Sequence, residues 1–307
     1  MYAYVYGPVA SRRLGRSLGI APVTDNQCNF GCVYCQLGTI THVSHERKVY
    51  APVDAILNEV NDAISHGVAF DGLSIVGDGE PLLHSELGTL VRKLKALTDK
   101  PIALITNGSL LYQDEVLEDI KDVDILLPSL DAYDKASYAR INRPHGGLPF
   151  EQVLEGLKKA GERFKGHIWL EIMLVDGWND HDEALDAFKE LLGAFRYDRL
   201  YLNTPVRPPR EARVKKPSTE RVKTFSEVLG GIALDYLSDE VYTSADADDY
   251  DALVALIKRH PLHRQEIQSF LEARKHDNVE GIIERLEKDK AIRVVEHDHF
   301  TMYAPSA

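Results

Sequence analysis

Residues 101–108, Pro101-Ile102-Ala103-Leu104-Ile105-Thr106-Asn107-Gly108, form a short apolar run closed by a turn signal. A run of that length, bounded by proline on one side and Asn-Gly on the other, reads as a buried strand. The same texture recurs on both sides: Gly72 to Gly77 upstream, then Val123 to Asp131, His167 to Val175 and Arg199 to Thr204 downstream. Helical stripes separate these runs. Val53, Ile56, Leu57, Val60 and Ile64 repeat at helical spacing after Pro52, with Gly67 placed to end the helix. Leu87, Leu90, Val91, Leu94 and Leu97 mark a second stripe, and Val116, Leu117 and Ile120 a third. Residues 150–164 and 181–192 carry two more. Strands alternating with helices imply a parallel sheet covered by helices, so the fold class expected is α/β, a partial (β/α)6 TIM-like barrel. In such sheets reactive groups collect at the carboxyl ends of strands. The polar residues at those ends are Asp78, Glu80, Thr106, Asn107, Ser129, Asp131, Asp176 and Asn203.

After Pro205 the texture changes. Residues 207–223 are proline-rich and carry seven basic residues against two acids, which reads as an exposed basic loop. From Tyr250 on, three helical patterns and a hairpin suggest a small winged-helix-like domain. The expected division is 1–205 for the catalytic partial barrel, 206–249 for a basic linker and helical extension, and 250–307 for the small domain. Its third helix, Asp277 to Lys290, has five acids against Arg285, Lys288 and Lys290. Phosphates would be repelled, so DNA binding is disfavoured and a docking module or lid is expected. His260, His263, His276, His297 and His299 read as surface residues.

The chain of 307 residues is 44% hydrophobic and 27% charged, which excludes disordered and fibrous classes. It has no run of about 18 apolar residues, so no membrane span is expected. Met1 to Pro8 shows no basic region followed by an apolar block, hence no visible signal peptide and an expected cytoplasmic location. A net charge of −12 disfavours a broad nucleic-acid-binding face.

Three cysteines, Cys28, Cys32 and Cys35, fall within eight residues in Cys28-Asn29-Phe30-Gly31-Cys32-Val33-Tyr34-Cys35. An odd number packed this closely is no disulfide framework. Three thiolates can hold three corners of a cubane [4Fe-4S] cluster and leave the fourth iron open to another ligand. Zinc is the alternative, with His42 or His45 as fourth ligand, and buried free thiols are a third reading.

C-x3-C-x-aromatic-C ahead of the first strand–helix unit resembles the radical S-adenosylmethionine superfamily. The supporting pieces are Gly7 to Gly15 (GPVASRRLG), Gly77-Asp78-Gly79-Glu80-Pro81, Ile141-Asn142-Arg143-Pro144-His145 and Leu202 to Pro209. The pattern is most similar to the group holding wyosine-type tRNA-modifying synthases and many iron–sulfur oxidoreductases. The resemblance implies a [4Fe-4S] cluster on Cys28, Cys32 and Cys35. It also implies S-adenosyl-L-methionine cleaved to a 5′-deoxyadenosyl radical, an external flavodoxin- or ferredoxin-like reductant, and an RNA, peptide or protein substrate. By position, Tyr34 would lie by the adenine. Asp78, Gly79 and Glu80 would meet the methionine amine, with Asp78 standing where the family has glycine. Thr106, Asn107, Ser129 and Asp131 would meet ribose and carboxylate, Met173 and Val175 would pack on adenine, and Asn203 would reach cofactor or substrate.

Each has a plainer reading: Glu80 as a solvated turn, Asn107-Gly108 as a turn, Asp131 as a helix cap, and Tyr34, Met173 and Val175 as core. Arg12, Arg13, Arg140, Arg143 and His145 are candidates for an anionic substrate, because guanidinium forks bind carboxylate or phosphate. The competing reading pairs them with surface acids. With no further cysteine, auxiliary clusters and a catalytic thiol are excluded. The competing function is a metal- or iron–sulfur-dependent DNA-binding regulator.

Overall fold

The strand His167–Met173 shows how the sheet is made. Ile168, Leu170 and Ile172 enter the main hydrophobic core, while Glu171 and Met173 line a cavity on the other face. This is the two-residue period of a strand buried on both sides. The computed structural model describes residues 2–38, 40, 42–234, 244, 248–297 and 300–306.

In chain order, a hairpin of β1 (Val5–Ser11) and β2 (Gly15–Ile20) leads to a short parallel pair, β3 (Gln27–Cys28) and β4 (His42–Val43). There follow α1 (Val53–Ser65), β5 (Gly72–Ile75), α2 (Leu87–Leu97), β6 (Ile102–Thr106), α3 (Asp114–Asp119) and β7 (Ile125–Pro128). Next come α4 (Lys135–Ile141), α5 (Phe150–Arg163), β8 (His167–Met173), α6 (Asp182–Leu192), β9 (Arg199–Asn203), α7 (Thr219–Leu229) and β10 (Ile232–Leu234). The small domain has α8 (Asp249–Arg259), β11 (Leu262–His263), α9 (Arg264–Ala273), α10 (Val279–Lys288), β12 (Ile292–His297) and β13 (Phe300–Pro305).

Eight strands, in the order β1-β2-β5-β6-β7-β8-β9-β10, make a curled half-barrel consistent with a partial TIM barrel. Among the described residues, β1 and β2 pair antiparallel and the other neighbours in the sheet pair parallel. Its convex side buries Leu73, Ile75, Leu104, Leu126 and Leu170 against Ile56, Val60, Leu90, Leu94 and Phe188. Full burial of such side chains stabilises by roughly 1.5–3 kcal/mol each.

The hairpin escaped the sequence reading, because Gly7-Pro8 and Arg12-Arg13 interrupt any apolar alternation. It closes tightly: a Cβ on Gly19 would lie 2.3 Å from the Tyr6 ring, so only glycine fits there. The basic stretch 207–223 is not one exposed loop. Arg207 is buried, and the stretch enters α7, which Ser218 caps by accepting from the Arg221 amide. Among the described residues, no helix is long and apolar enough to cross a membrane.

The three helices and hairpin expected at the C-terminus are present, and β11 adds a third strand beside β13. This domain is packed on the hairpin: Tyr6, Ala10 and Ala21 share one apolar cluster with Leu253, Leu256 and Ile257. Arg207 donates to both Glu266 oxygens at 2.7 and 2.8 Å, and His297 Nε2 lies 3.0 Å from the Pro205 carbonyl oxygen. The surface reading therefore fails for His263, which is buried and caps α9. It fails also for His260, which lines the cavity. His299 lies outside the described residues.

Candidate active site

The cysteine loop leaves the carboxyl end of β2 and rests on the tip of β5. The Glu80 amide donates to the Gln27 carbonyl at 3.1 Å. A Cβ on Gly79 would sit 1.8 Å from that oxygen, so the approach requires glycine. Cys28, Cys32 and Cys35 are half-buried, unbonded to one another and on the wall of one cavity of about 350 Å³. Cys28 Sγ accepts from the Phe30 amide at 3.4 Å and from Asn107 Nδ2 at 3.7 Å, and Cys32 Sγ accepts from Asn142 Nδ2 at 3.5 Å. Burial raises all three thiol pKa values, that of Cys32 to about 12, with Asp131 adding to the rise. A bound cation removes that penalty, and amides on the sulfurs are the groups that tune cluster potentials.

Three thiols without a fourth sulfur suit a cluster with three protein-bound irons better than a four-coordinate single ion. Of the two histidines weighed for zinc, His45 Nδ1 lies 2.9 Å from His145 Nδ1, and the His42 side chain lies outside what the structure describes. Among the described residues, no group of three or more His, Cys, Asp or Glu is gathered to hold a single ion.

Glu80 is no solvated turn residue. It is 2% exposed, and its carboxylate accepts from the Leu82 amide at 2.9 Å, Thr106 Oγ1 at 2.5 Å and the Asn107 amide at 2.8 Å. Burial lifts its pKa to about 7 against those three bonds. Asn107 Nδ2 in turn donates to Asn29 Oδ1 at 2.7 Å, tying the tip of β6 to the cysteine loop. Asp131 does not cap α4, whose cap is Asp134 in a capping box with Ser137. It accepts from Tyr34 Oη, from Asn142 Nδ2 at 3.0 Å and from the Met173 amide at 2.9 Å, and so fixes the ring inside the cysteine motif.

Tyr34, Gly79, Glu80, Thr106 and Asn107 line the cavity, as do Ser129, Met173 and Asn203. Val175 stands behind it, packed with Val33, Ile141, Trp178 and Val214. Asp78 faces the small domain, where its carboxylate pairs with Arg259 at 3.2 Å.

The arginine candidates divide. Arg12 and Arg13, on the β1–β2 turn, line the cavity. Arg12 Nη2 donates to Asn203 Oδ1 at 3.0 Å, Asn203 Nδ2 donates to Glu171 Oε1 at 3.1 Å, and Arg13 Nη1 pairs with Glu171 Oε2. Burial, aided by Arg12, pulls the Arg13 pKa down to about 10. Burial, then Arg207, Arg12 and Arg13, keep His260 well below the ordinary histidine value and thus neutral. Arg140, Arg143 and His145 are engaged elsewhere. Arg140 stacks 5.2 Å from the Trp178 ring, Arg143 pairs with Glu211 at 2.7 Å, and His145 meets His45.

Sequence reasoning missed Glu171, Thr204, Arg207, Arg259 and His260 on the cavity wall. Glu171 had a signal: an acid in register with Met173 on an otherwise apolar strand. Arg259 and His260 had none, since they arrive from a distant domain.

Residues 23–188 match the family model of the Radical SAM superfamily. The chain is 34% identical over 277 residues to a UPF0026 protein of Methanocaldococcus jannaschii, covering 87% of this chain and 85% of that one. It is 32% identical over 262 residues to a protein of Brachyspira hyodysenteriae named GTPase Obg; that match covers 84% of this chain but only 38% of the relative's length. Among solved structures it resembles a radical SAM methyltransferase from Sphaerobacter thermophilus, with a TM-score of 0.56 and 18% identity over 73% of this chain and 67% of that one, a likeness of fold. These relatives do not single out the wyosine-synthase-like group. Radical SAM proteins generally carry a [4Fe-4S] cluster, bind S-adenosylmethionine and draw on an external reductant. A family match over more than half the chain and a relative covered over most of its length establish that this protein is an enzyme of the radical SAM superfamily.

Proposed function

We propose that Cys28, Cys32 and Cys35 hold a [4Fe-4S] cluster, and that the enzyme uses S-adenosylmethionine to abstract hydrogen from an anionic substrate in the same cavity. The observation that carries this reading is that the three thiols and the Arg13–Glu171 pair line one cavity. When bound, the cluster supplies the electron that splits the sulfonium to methionine and a 5′-deoxyadenosyl radical, which takes a hydrogen atom from the substrate.

The chain's own groups have distinct tasks. Gly79 leaves the backbone bare at the tip of β5, and Glu80 stiffens it from behind. Asp131 holds Tyr34 in place beside the adenine site, where Met173 adds apolar surface. Ser129 offers a hydroxyl toward ribose or carboxylate, while Thr106 holds Glu80 and Asn203 links Arg12 to Glu171 on the same wall. Asp78 and Val175 act from outside the cavity, one by docking the small domain and the other by packing. The domain covers the mouth with Arg259 and His260, which helps to keep water from a radical. A cavity of about 350 Å³ that also takes S-adenosylmethionine leaves room for one small group of the substrate, not for a duplex. An external flavodoxin- or ferredoxin-like carrier completes the scheme.

Anaerobic reconstitution with iron and sulfide, followed by dithionite and S-adenosylmethionine, tests it. The wild type should form 5′-deoxyadenosine, and Cys32→Ala should fall to background. A chain that binds only a single zinc ion, or a reduced cluster that cleaves nothing with any anionic substrate offered, overturns the reading.

A further inference from the structure

The β1–β2 turn and the cysteine loop lie at opposite ends of β2, roughly 17 Å apart along the strand. The arginine end has a feature the catalytic reading does not use. Arg13 spends only Nη1, on Glu171; its Nε is buried without a hydrogen-bond partner. The Nε–Nη2 edge is the side of a guanidinium that presents two parallel N–H bonds to two oxygens of one group. In the same wall, Thr204 is 1% exposed and its Oγ1 is also buried without a partner. Buried polar groups are paired as a rule, so these exceptions, joined in the same wall by Arg259 Nε, which meets Asp78 as an ion pair and makes no hydrogen bond, call for an occupant that satisfies them. The neighbouring guanidinium groups are committed elsewhere. Arg207 is held by Glu266 and the Pro261 carbonyl, and Arg259 by Asp78. His260 closes this end from the small domain.

We propose that this end of the cavity is an oxyanion subsite for the substrate. It is built from Arg13 of the β1–β2 turn, Thr204 after β9 and His260 of the C-terminal domain, and it takes a carboxylate or a phosphate. The assignment of the occupant as substrate rests on the catalytic reading above. It gives the small domain a part in substrate binding, and it separates Arg13 from Arg140, Arg143 and His145, which bind other parts of the chain.

The test uses the full chain, reconstituted with its cluster and with S-adenosylmethionine present. Inorganic phosphate and malonate are titrated separately by calorimetry. Saturable binding of at least one is expected. It should weaken roughly tenfold or more in Arg13→Gln and several-fold in Thr204→Val. Preference for phosphate points to a phosphorylated substrate, and preference for malonate to a carboxylate. No saturable binding of either anion, or unchanged affinity in both variants, overturns the subsite. If Arg13→Gln does not fold because Glu171 loses its partner, Thr204→Val and His260→Gln carry the test. A chain that cleaves S-adenosylmethionine but binds neither anion defeats the subsite alone. One that binds an anion but never cleaves S-adenosylmethionine defeats the catalytic reading and leaves the site as a ligand site.

Discussion

The two ends of β2 are held in different ways. At the cysteine end, the sulfurs take amide donors, and the buried carboxylates Glu80 and Asp131 are satisfied by hydroxyls and amides without a guanidinium. At the arginine end the bonds are ionic and long-range: Arg13 to Glu171, and Arg207 to Glu266; a further ion pair, Arg259 to Asp78, ties the small domain to the tip of β5 beside the cysteine loop. The first end positions a loop whose three cysteines lie close together in sequence. The second clamps a separate domain over the cavity. Loss of a neutral hydrogen bond leaves a dipole unsatisfied; loss of one ionic partner leaves a charge. The arginine end should therefore be the more brittle.

Arg207 gives the largest contrast. Its side chain is 6% exposed and that of Glu266 4%, so Arg207→Ala strands a buried carboxylate. The expected loss is about 3–5 kcal/mol, read as a lower urea midpoint at unchanged slope. Replacing both by methionine should restore much of it, because no charge is then left buried. If Arg207→Ala lies within about 1 kcal/mol of wild type, the pair is not buried in solution and the contrast between the two ends is broken.

Glu80→Gln probes the cysteine end with a smaller expected effect. The amide nitrogen faces donors where an oxygen accepted, so one of the Leu82, Thr106 and Asn107 bonds is lost. The cost should be about 2 kcal/mol, with less iron retained per chain after desalting because the loop on Gly79 loosens. A variant as stable as wild type that retains full iron would show that Glu80 does not brace the loop.

This difference also explains what was legible. The cysteine motif and the strand ends Glu80, Thr106, Asn107 and Asp131 could be picked from sequence, because strand–turn–helix patterns are local. Their tasks could not: nothing in the sequence tells that Asp131 reaches Tyr34 or that Asp78 reaches Arg259. The β1–β2 hairpin lacked apolar alternation, and α4 is only seven residues long. The stripe of Val222 and Phe225 in α7 was visible but was masked by the basic composition around it. Arg259 and His260 meet the cavity only because a domain more than 200 residues away in sequence packs on Tyr6 and Ala10.

The smallest effect concerns pH, and it separates the two ends further. His84 follows the short turn Pro81–Leu83 behind Glu80 and is fully buried. Its Nε2 donates to the Ala51 carbonyl at 2.9 Å, and its Nδ1 accepts from the Glu86 amide at 3.1 Å, which requires the neutral ring. Burial accordingly lowers its pKa below 6.5 in the folded chain, against the pull of the Ala51 bond. The unfolded state then binds more protons, so the stability His84 contributes is present above pH 6.5 and is lost as pH falls below it. Glu80 works in the opposite sense. Its pKa, raised to about 7, favours the folded state at low pH and loses that contribution as pH rises through 7. The raw pH profile sums both, so the informative quantity is the difference between wild type and His84→Gln. That difference should be about 1 kcal/mol near neutral pH and should shrink as the solution is acidified through the ordinary histidine range. The guanidinium groups of the other end keep their charge throughout. A difference that holds constant between about pH 7.5 and 5.5 would mean that His84 does not titrate differently on folding, and that mild acid does not act on the cysteine end through this residue.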